Sequence, residues 1–177
     1  MRFTETAVRG AWILDLDRFE DERGFFARTW CHREFGERGL ETDVAQTNLS
    51  FTARRGTLRG MHYQRAPHEE VKIVRCVRGA IHDVIVDIRH SSDTCGRHAA
   101  VELTAENRRA LYIPHGVAHG FQSLVDDTEV LYQMSTFYEP AAGAGVRWND
   151  PTFGIVWPIA EPFMNERDAS YPDWQRP

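Results

Sequence analysis

Gly56-Thr57-Leu58-Arg59-Gly60-Met61-His62-Tyr63-Gln64, with its sequel Val71-Lys72-Ile73-Val74-Arg75-Cys76-Val77-Arg78-Gly79, decides how the rest of the chain is read. Both stretches have the β-branched and apolar character of strands in a small β-barrel. They also carry a histidine, His62, and a lysine, Lys72, in surroundings that are otherwise apolar or β-rich. A charge-bearing side chain kept in such a place usually has a chemical task. His62 and Lys72 are therefore taken as the chemical centre.

Working outward, Arg78-Gly79 stands between two β-branched runs and has the chemistry to close a tight hairpin. With a two-residue loop, Val77 faces Ala80, Val74 faces Asp83 and Lys72 faces Ile85. Lys72 and Asp83 become diagonal neighbours on one face, about 7 Å apart at Cα. A surface ion pair of little energetic worth is one reading of that pair. The other is a lysine held charged and aimed by Asp83 inside a barrel.

Upstream, Ala11-Trp12-Ile13-Leu14-Asp15-Leu16 is expected as an edge strand, leading to the turn Asp21-Glu22-Arg23-Gly24 and a new strand through Phe25-Phe26-Ala27-Arg28. Cys31 to Leu40, with Gly39 near its end, predicts a short helix. Asp43 to Phe51 alternates polar and apolar residues as a half-buried strand does. Short β-rich runs separated by glycine and proline follow, with hardly any helical period. The expected fold is all-β, a sandwich or barrel with a few short helices. No repeat or linker interrupts it, so residues 1–177 are expected to form one domain.

Composition narrows the possible partners. The chain has 177 residues, 42% of them apolar, which supplies a real core, and its formal net charge of -5 argues against nucleic acid. Cys31, Cys76 and Cys95 are odd in number and widely spaced, as suits a reducing compartment. The N-terminal stretch lacks the apolar run of a signal peptide, and nowhere do about 18 apolar residues run together. The expectation is a soluble cytoplasmic protein without a membrane partner.

Eight histidines are present, and most histidines in a fold are solvated or merely packed. His62 stands out through its context. Pro114-His115-Gly116-Val117-Ala118-His119-Gly120-Phe121 brings a second histidine after a turn whose path Pro114 and Gly116 constrain. Val130 to Tyr138 is another expected strand, in which period two places Tyr132 and Tyr138 on one face. Strand tyrosines are commonly core residues with a satisfied hydroxyl, a reading that weighs more on Tyr138 than on Tyr132.

Asp21-Glu22-Arg23-Gly24-Phe25-Phe26, Gln46-Thr47-Asn48-Leu49-Ser50, Gly56 to Gln64, Asp83 to Arg89, Ile113 to Phe121 and Trp148-Asn149-Asp150-Pro151 together resemble the dTDP-4-dehydrorhamnose 3,5-epimerase family. The likeness runs in order over nearly the whole chain. It implies a cupin-type β jelly roll, a homodimer, no cofactor, and a substrate that is a nucleotide-diphosphate-linked 4-keto-6-deoxy sugar. By the same resemblance His62 is the base, Asp168 its orienting carboxylate, Lys72 the stabiliser of the carbonyl oxygen and Tyr132 the acid. Arg23, Gln46, Asn48, Arg59 and His119 fall on substrate-contact positions, and Tyr138, Arg167 and Asp83 complete that set. Two positions depart from the family pattern, Arg28 and Gly143, where an acidic residue is common; both map near the nucleotide.

Chemistry explains these residue types. A C–H beside a ketone is lost only if the enolate oxygen is stabilised, and a lysine ammonium places charge where charge develops. Histidine can remove the proton near neutral pH, and an aspartate sets its tautomer. Inversion requires a donor on the other face of the ring. The guanidinium forks of Arg23 and Arg59 suit diphosphate oxygens. Strict alternation would put Arg59 and His62 on opposite faces, so a bulge or kink is expected at Gly60.

Two alternatives stay open at this level. A metal-dependent cupin would use His62, His119 and a carboxylate, but His62-Tyr63-Gln64 lacks a second histidine two residues on, and Lys72 would crowd a cation. A non-catalytic sugar-binding cupin would bind the ligand without proton exchange.

Overall fold

In a computed structural model the described residues, 1–175, form two antiparallel sheets packed face to face. The expected boundary at Pro177 lies outside them. In chain order the elements are β1 (Arg2–Glu5), β2 (Trp12–Asp15), β3 (Arg18–Asp21), β4 (Gly24–Ala27), α1 (His32–Gly36), β5 (Gln46–Thr52), β6 (Leu58–Gln64) and β7 (Lys72–Arg78). They continue with β8 (Ala80–Asp87), β9 (His98–Thr104), β10 (Ala110–Ile113), β11 (Val117–Ser123), β12 (Thr128–Met134), β13 (Gly143–Gly145) and α2 (Glu166–Ala169). One sheet has the order β1-β2-β10-β7-β12-β5, the other β13-β6-β11-β8-β9, and β3 and β4 form a separate hairpin. The all-β expectation with short helices holds.

Period-two side-chain direction builds the core. Val74 and Cys76 of β7, Leu111 and Ile113 of β10 and Val130 of β12 meet Ile81, Ile85, Val101, Leu103, Val117 and Phe121 from the facing sheet. β8 is largely buried because both its faces are covered: Ile81 and Ile85 point inward, while Val84 and Val86 join Phe153 and Trp157 on the outer side. On several strands the same alternation carries polar groups into one end of the space between the sheets.

The hairpin expected at Arg78-Gly79 does not form. Both edges of β7 are taken, by β10 and β12, so after Gly79 the chain crosses into the other sheet and β8 pairs with β9 and β11. Gly79 makes that crossing at φ 77°, where an added Cβ would lie 2.6 Å from Thr128 Oγ1. Lys72 therefore pairs with Ile113 and Met134, and Val74 does not face Asp83. The expected edge strand over Ala11–Leu16 is also internal. β2 lies between β10 and β1, and β1 takes the edge.

The irregularity expected at Gly60 is present. His119 pairs with His62 and Phe121 with Arg59, so β6 spends one residue more than β11 between those pairs. Gly60 has φ 139°, and a Cβ on it would fall 2.5 Å from Gly120 Cα, so only glycine permits this approach. The extra residue turns Arg59 and His62 to the same cavity. Downstream, Phe163 bonds through its backbone to Gly56 and Leu58, which fastens the C-terminal segment alongside β6 and delivers α2 to the mouth of that cavity.

Candidate active site

The cavity between the sheets measures about 490 Å³. From the five-stranded sheet it receives Arg59, His62 and His119; from the six-stranded sheet, Gln46, Asn48, Lys72 and Tyr132; from the C-terminal segment, Arg167 and Asp168. Tyr138 also lines it. β12 ends at Met134, so Tyr138 reaches the cavity from the following loop and not as a face-mate of Tyr132 within one strand.

His62 Nε2 lies 2.8 Å from Asp168 Oδ1, and the Gly60 N–H donates to Asp168 Oδ2 at 3.2 Å. With an acidic partner, Nε2 carries the hydrogen and Nδ1 keeps the lone pair. Asp168 is positioned by its own short helix, whose N-cap Asn165 accepts the Asp168 N–H at 2.7 Å. Burial pushes the Asp168 carboxyl upward, but the His62 hydrogen bond and charge, with the Gly60 amide and Arg167, outweigh it and hold the group below the usual carboxylate value.

A second pair lies directly beside the first. His119 Nε2 is 2.7 Å from Asp83 Oδ1, and Asp83 is fully buried behind the imidazole. Asp83 is thus a partner of His119 and does not line the cavity, which corrects both its expected pairing with Lys72 and its place among the substrate contacts. Lys72 instead holds Glu70, with Nζ 2.9 Å from Oε1, and both side chains are largely buried. Glu70 is a residue the sequence reading missed. Its position two before Lys72 was the available signal, because period two puts both on one face.

Arg23 also stands elsewhere. It lies at the tip of the β3–β4 hairpin, 84% exposed, paired with Asp21 and outside the cavity. Arg28 bonds Glu34 at 3.4 Å. Gly143 does line the cavity, and a Cβ there would be 3.3 Å from Arg167 Nη2 and 3.5 Å from the Tyr138 hydroxyl. The neighbouring phenols, Tyr138 first, raise Arg167 above its ordinary value.

Nothing in this donor set suits a metal. Both histidines commit Nε2 to a carboxylate, and among the described residues no three of the His, Cys, Asp and Glu side chains converge to hold an ion. What the site offers is an accessible imidazole, an ammonium and a phenol around one cavity. The family described as dTDP-4-dehydrorhamnose 3,5-epimerase matches residues 5–176.

The chain belongs to this epimerase family. A relative of that name from Methanothermobacter thermautotrophicus is 42% identical over 173 residues, covering 96% of this chain and 92% of its own. The crystal structure of dTDP-4-dehydrorhamnose 3,5-epimerase from Elizabethkingia anophelis superposes with a TM-score of 0.95 at 35% identity, covering 98% and 96% of the two chains. A 3'-monoepimerase from Streptomyces bikiniensis, solved with dTDP-quinovose, superposes with a TM-score of 0.87 at 37% identity, covering 94% and 85%. The epimerase-family fold and the cupin-like β sandwich expected from the sequence agree with these neighbours. Among the described residues no helix is long and apolar enough to cross a membrane.

Proposed function

We propose that the protein is an isomerase that epimerises a nucleotide-linked 4-keto-6-deoxy sugar, of the dTDP-4-dehydro-6-deoxy-glucose type, at C3 and C5 in deoxysugar biosynthesis. The observation that carries this reading is the placement of His62 and Tyr132 on opposite sheets, facing one cavity. A sugar ring held between the sheets has the imidazole on one face and the phenol on the other. Inversion by deprotonation and reprotonation needs that arrangement.

In this reading Nδ1 of His62 takes the proton from the carbon beside the C4 ketone, while the Nε2–H bond to Asp168 stabilises the imidazolium that forms. Lys72, held by Glu70, meets the charge that develops on O4. Tyr132 delivers a proton to the opposite face. Arg59 and Arg167 are suited to the diphosphate, Gln46, Asn48 and His119 to the sugar, and Tyr138 to the nucleotide end of the cavity. Hydrogens at C3 and C5 both adjoin the ketone, so the same base and the same lysine serve each in turn if the ring re-orients.

The working unit in this proposal is one domain over the whole chain, assembled as a homodimer. The hairpin exposes Phe19 and Phe26, and the edge strand β5 exposes Leu49 and Phe51. Arg23 lies outside its own chain's cavity, so a substrate contact by Arg23 would be made in the cavity of a second copy. The free cysteines Cys31, Cys76 and Cys95 support a reducing, cytoplasmic setting. The reading is tested by incubating the protein with nucleotide 4-keto-6-deoxy sugars in deuterated water. Label and inversion at both C3 and C5 are expected. Label at C3 alone would make it a monoepimerase, and binding without label would make it a non-catalytic sugar binder.

A further inference from the structure

We propose that Tyr171 is a positioning residue for His62. Its ring fills the place of the side chain that Gly145 lacks, and so holds the imidazole with Nε2 on Asp168 and Nδ1 toward the cavity. The inference rests on reading His62 as the base.

His62 has a cross-strand partner on each side: His119 in β11 and Gly145 in β13. Directly paired residues of an antiparallel ladder project to the same face with their Cβ atoms in contact range. On the β11 side that neighbour is an imidazole. On the β13 side it is a hydrogen, which leaves a slot one side chain wide against the His62 ring. Gly145 has no positive φ, so its backbone does not call for glycine. Space does. A Cβ on Gly145 would fall 2.5 to 2.6 Å from Cε2, Cδ2 and Cζ of Tyr171.

The Tyr171 ring thus occupies the slot, and it meets His62 edge to face with centroids 5.7 Å apart and planes at 75°. The contact is held in register from both ends. Tyr171 comes two residues after α2, the helix that supplies Asp168, and the next carbonyl, of Pro172, accepts the Arg147 N–H at 2.9 Å just beyond β13. One short segment therefore fixes both the hydrogen-bond partner of the imidazole and the wall beside it. The Tyr171 ring, not its hydroxyl, makes the contact with His62.

A wall is needed because the bond to Asp168 fixes only Nε2. The His62 side chain is 39% exposed on its cavity side, and a ring tethered at one nitrogen can still tilt, carrying Nδ1 away from the carbon acid. Small misplacements of a base are expensive in rate.

Three variants test the proposal: Tyr171→Ala, Tyr171→Phe and Gly145→Ala. Each is followed by thermal unfolding, by deuterium exchange into a nucleotide 4-keto sugar, and by nitrogen NMR of the His62 imidazole without substrate. Tyr171→Ala should lower kcat by on the order of tenfold or more with KM within about twofold. Its His62 nitrogen resonances should broaden or shift as the ring samples several tilts, while the bond to Asp168 keeps the Nε2–H tautomer. Tyr171→Phe should restore most of the rate and the wild-type His62 resonances. Gly145→Ala, which keeps tyrosine but pushes the ring out, should follow Tyr171→Ala. A folded Tyr171→Ala with wild-type kcat and an unchanged His62 spectrum would overturn the proposal, as would a Tyr171→Phe as impaired as the alanine variant. If the wild-type protein exchanges no candidate sugar, the epimerase reading fails by itself, and the His62 spectrum still decides whether Tyr171 sets the ring.

Discussion

His62 and His119 face each other across adjacent strands, and each gives Nε2 to an aspartate at under 3 Å, yet the two pairs are built differently. The His62 side chain is 39% exposed, and its partner Asp168 has both oxygens occupied, one by the imidazole and one by the Gly60 amide. The His119 side chain is 11% exposed, its partner Asp83 is fully buried, and Asp83 Oδ2 has no hydrogen-bond partner among the described residues. A base must reach a carbon acid and must survive gaining a charge. The open, fully bonded pair meets both conditions. In the closed pair a protonation change would leave a buried oxygen still unsatisfied, so His119 serves better as a fixed polar contact.

The largest expected effect follows directly. His62→Ala should abolish deuterium incorporation into the sugar, whereas His119→Ala should raise KM while exchange persists. Isotope ratios read by mass spectrometry decide between them. Exchange lost in the second variant and kept in the first would reverse the roles of the two pairs.

Next in size is the contrast between the two carboxylates. Asp168→Asn keeps the shape of the acid but removes the charge that sets the Nε2–H tautomer, and should cost about 10³- to 10⁴-fold in kcat. Asp83→Asn should leave most of kcat but put a neutral amide in place of the fully buried carboxylate that bonds His119, costing about 1–3 kcal/mol of stability. Acid titration adds a second reading. Asp168 is held below its ordinary value near 3.8, so its ionisation stabilises the native state above that pH, and the gain is lost as pH falls through the lowered value. The difference in unfolding free energy between wild type and Asp168→Asn, followed by denaturant titration, should shrink as pH drops below about 4. A constant difference would mean that the Asp168 charge contributes nothing to the fold.

Much of this arrangement was legible before any coordinates. The strand character of Gly56 to Gln64 and of Val71 to Gly79 placed His62 and Lys72 in a β setting, and the mismatch between Arg59 and His62 required the irregularity found at Gly60. The partner of Lys72 was not legible, because the chemistry of Arg78-Gly79 allows a hairpin equally with a crossing between sheets. Only the occupied edges of β7 decide for the crossing. That one choice moved Asp83 from Lys72 to His119. Asp168 entered through resemblance alone, since no local pattern ties residue 168 to residue 62. Tyr171 left still less trace: its slot exists only because β13 pairs Gly145 with His62.

A smaller effect separates the two sheets. Tyr132→Phe removes the phenol from the six-stranded wall and leaves His62, Asp168 and Lys72 untouched. Proton removal and return from the His62 face should continue, so solvent deuterium should still enter, while inverted product falls by roughly 10²-fold or more. Equal inversion by Tyr132→Phe would exclude Tyr132 as the donor and place both proton transfers on one wall.

The smallest expected effect is none. If both histidine–aspartate pairs are hydrogen-bonded units, their Nε2 atoms are committed to carboxylates, and an ion would have to break two short bonds to gather ligands. In the proposed mechanism Lys72 supplies the positive charge that a Lewis acid would bring to the enolate oxygen, and Glu70 holds it at 2.9 Å. Prolonged EDTA treatment followed by desalting should therefore leave the exchange rate at both carbons unchanged. Activity lost to chelation and restored by iron, manganese or zinc would make the histidines ligands, and the contrast between an open base and a closed contact would then fail at its root.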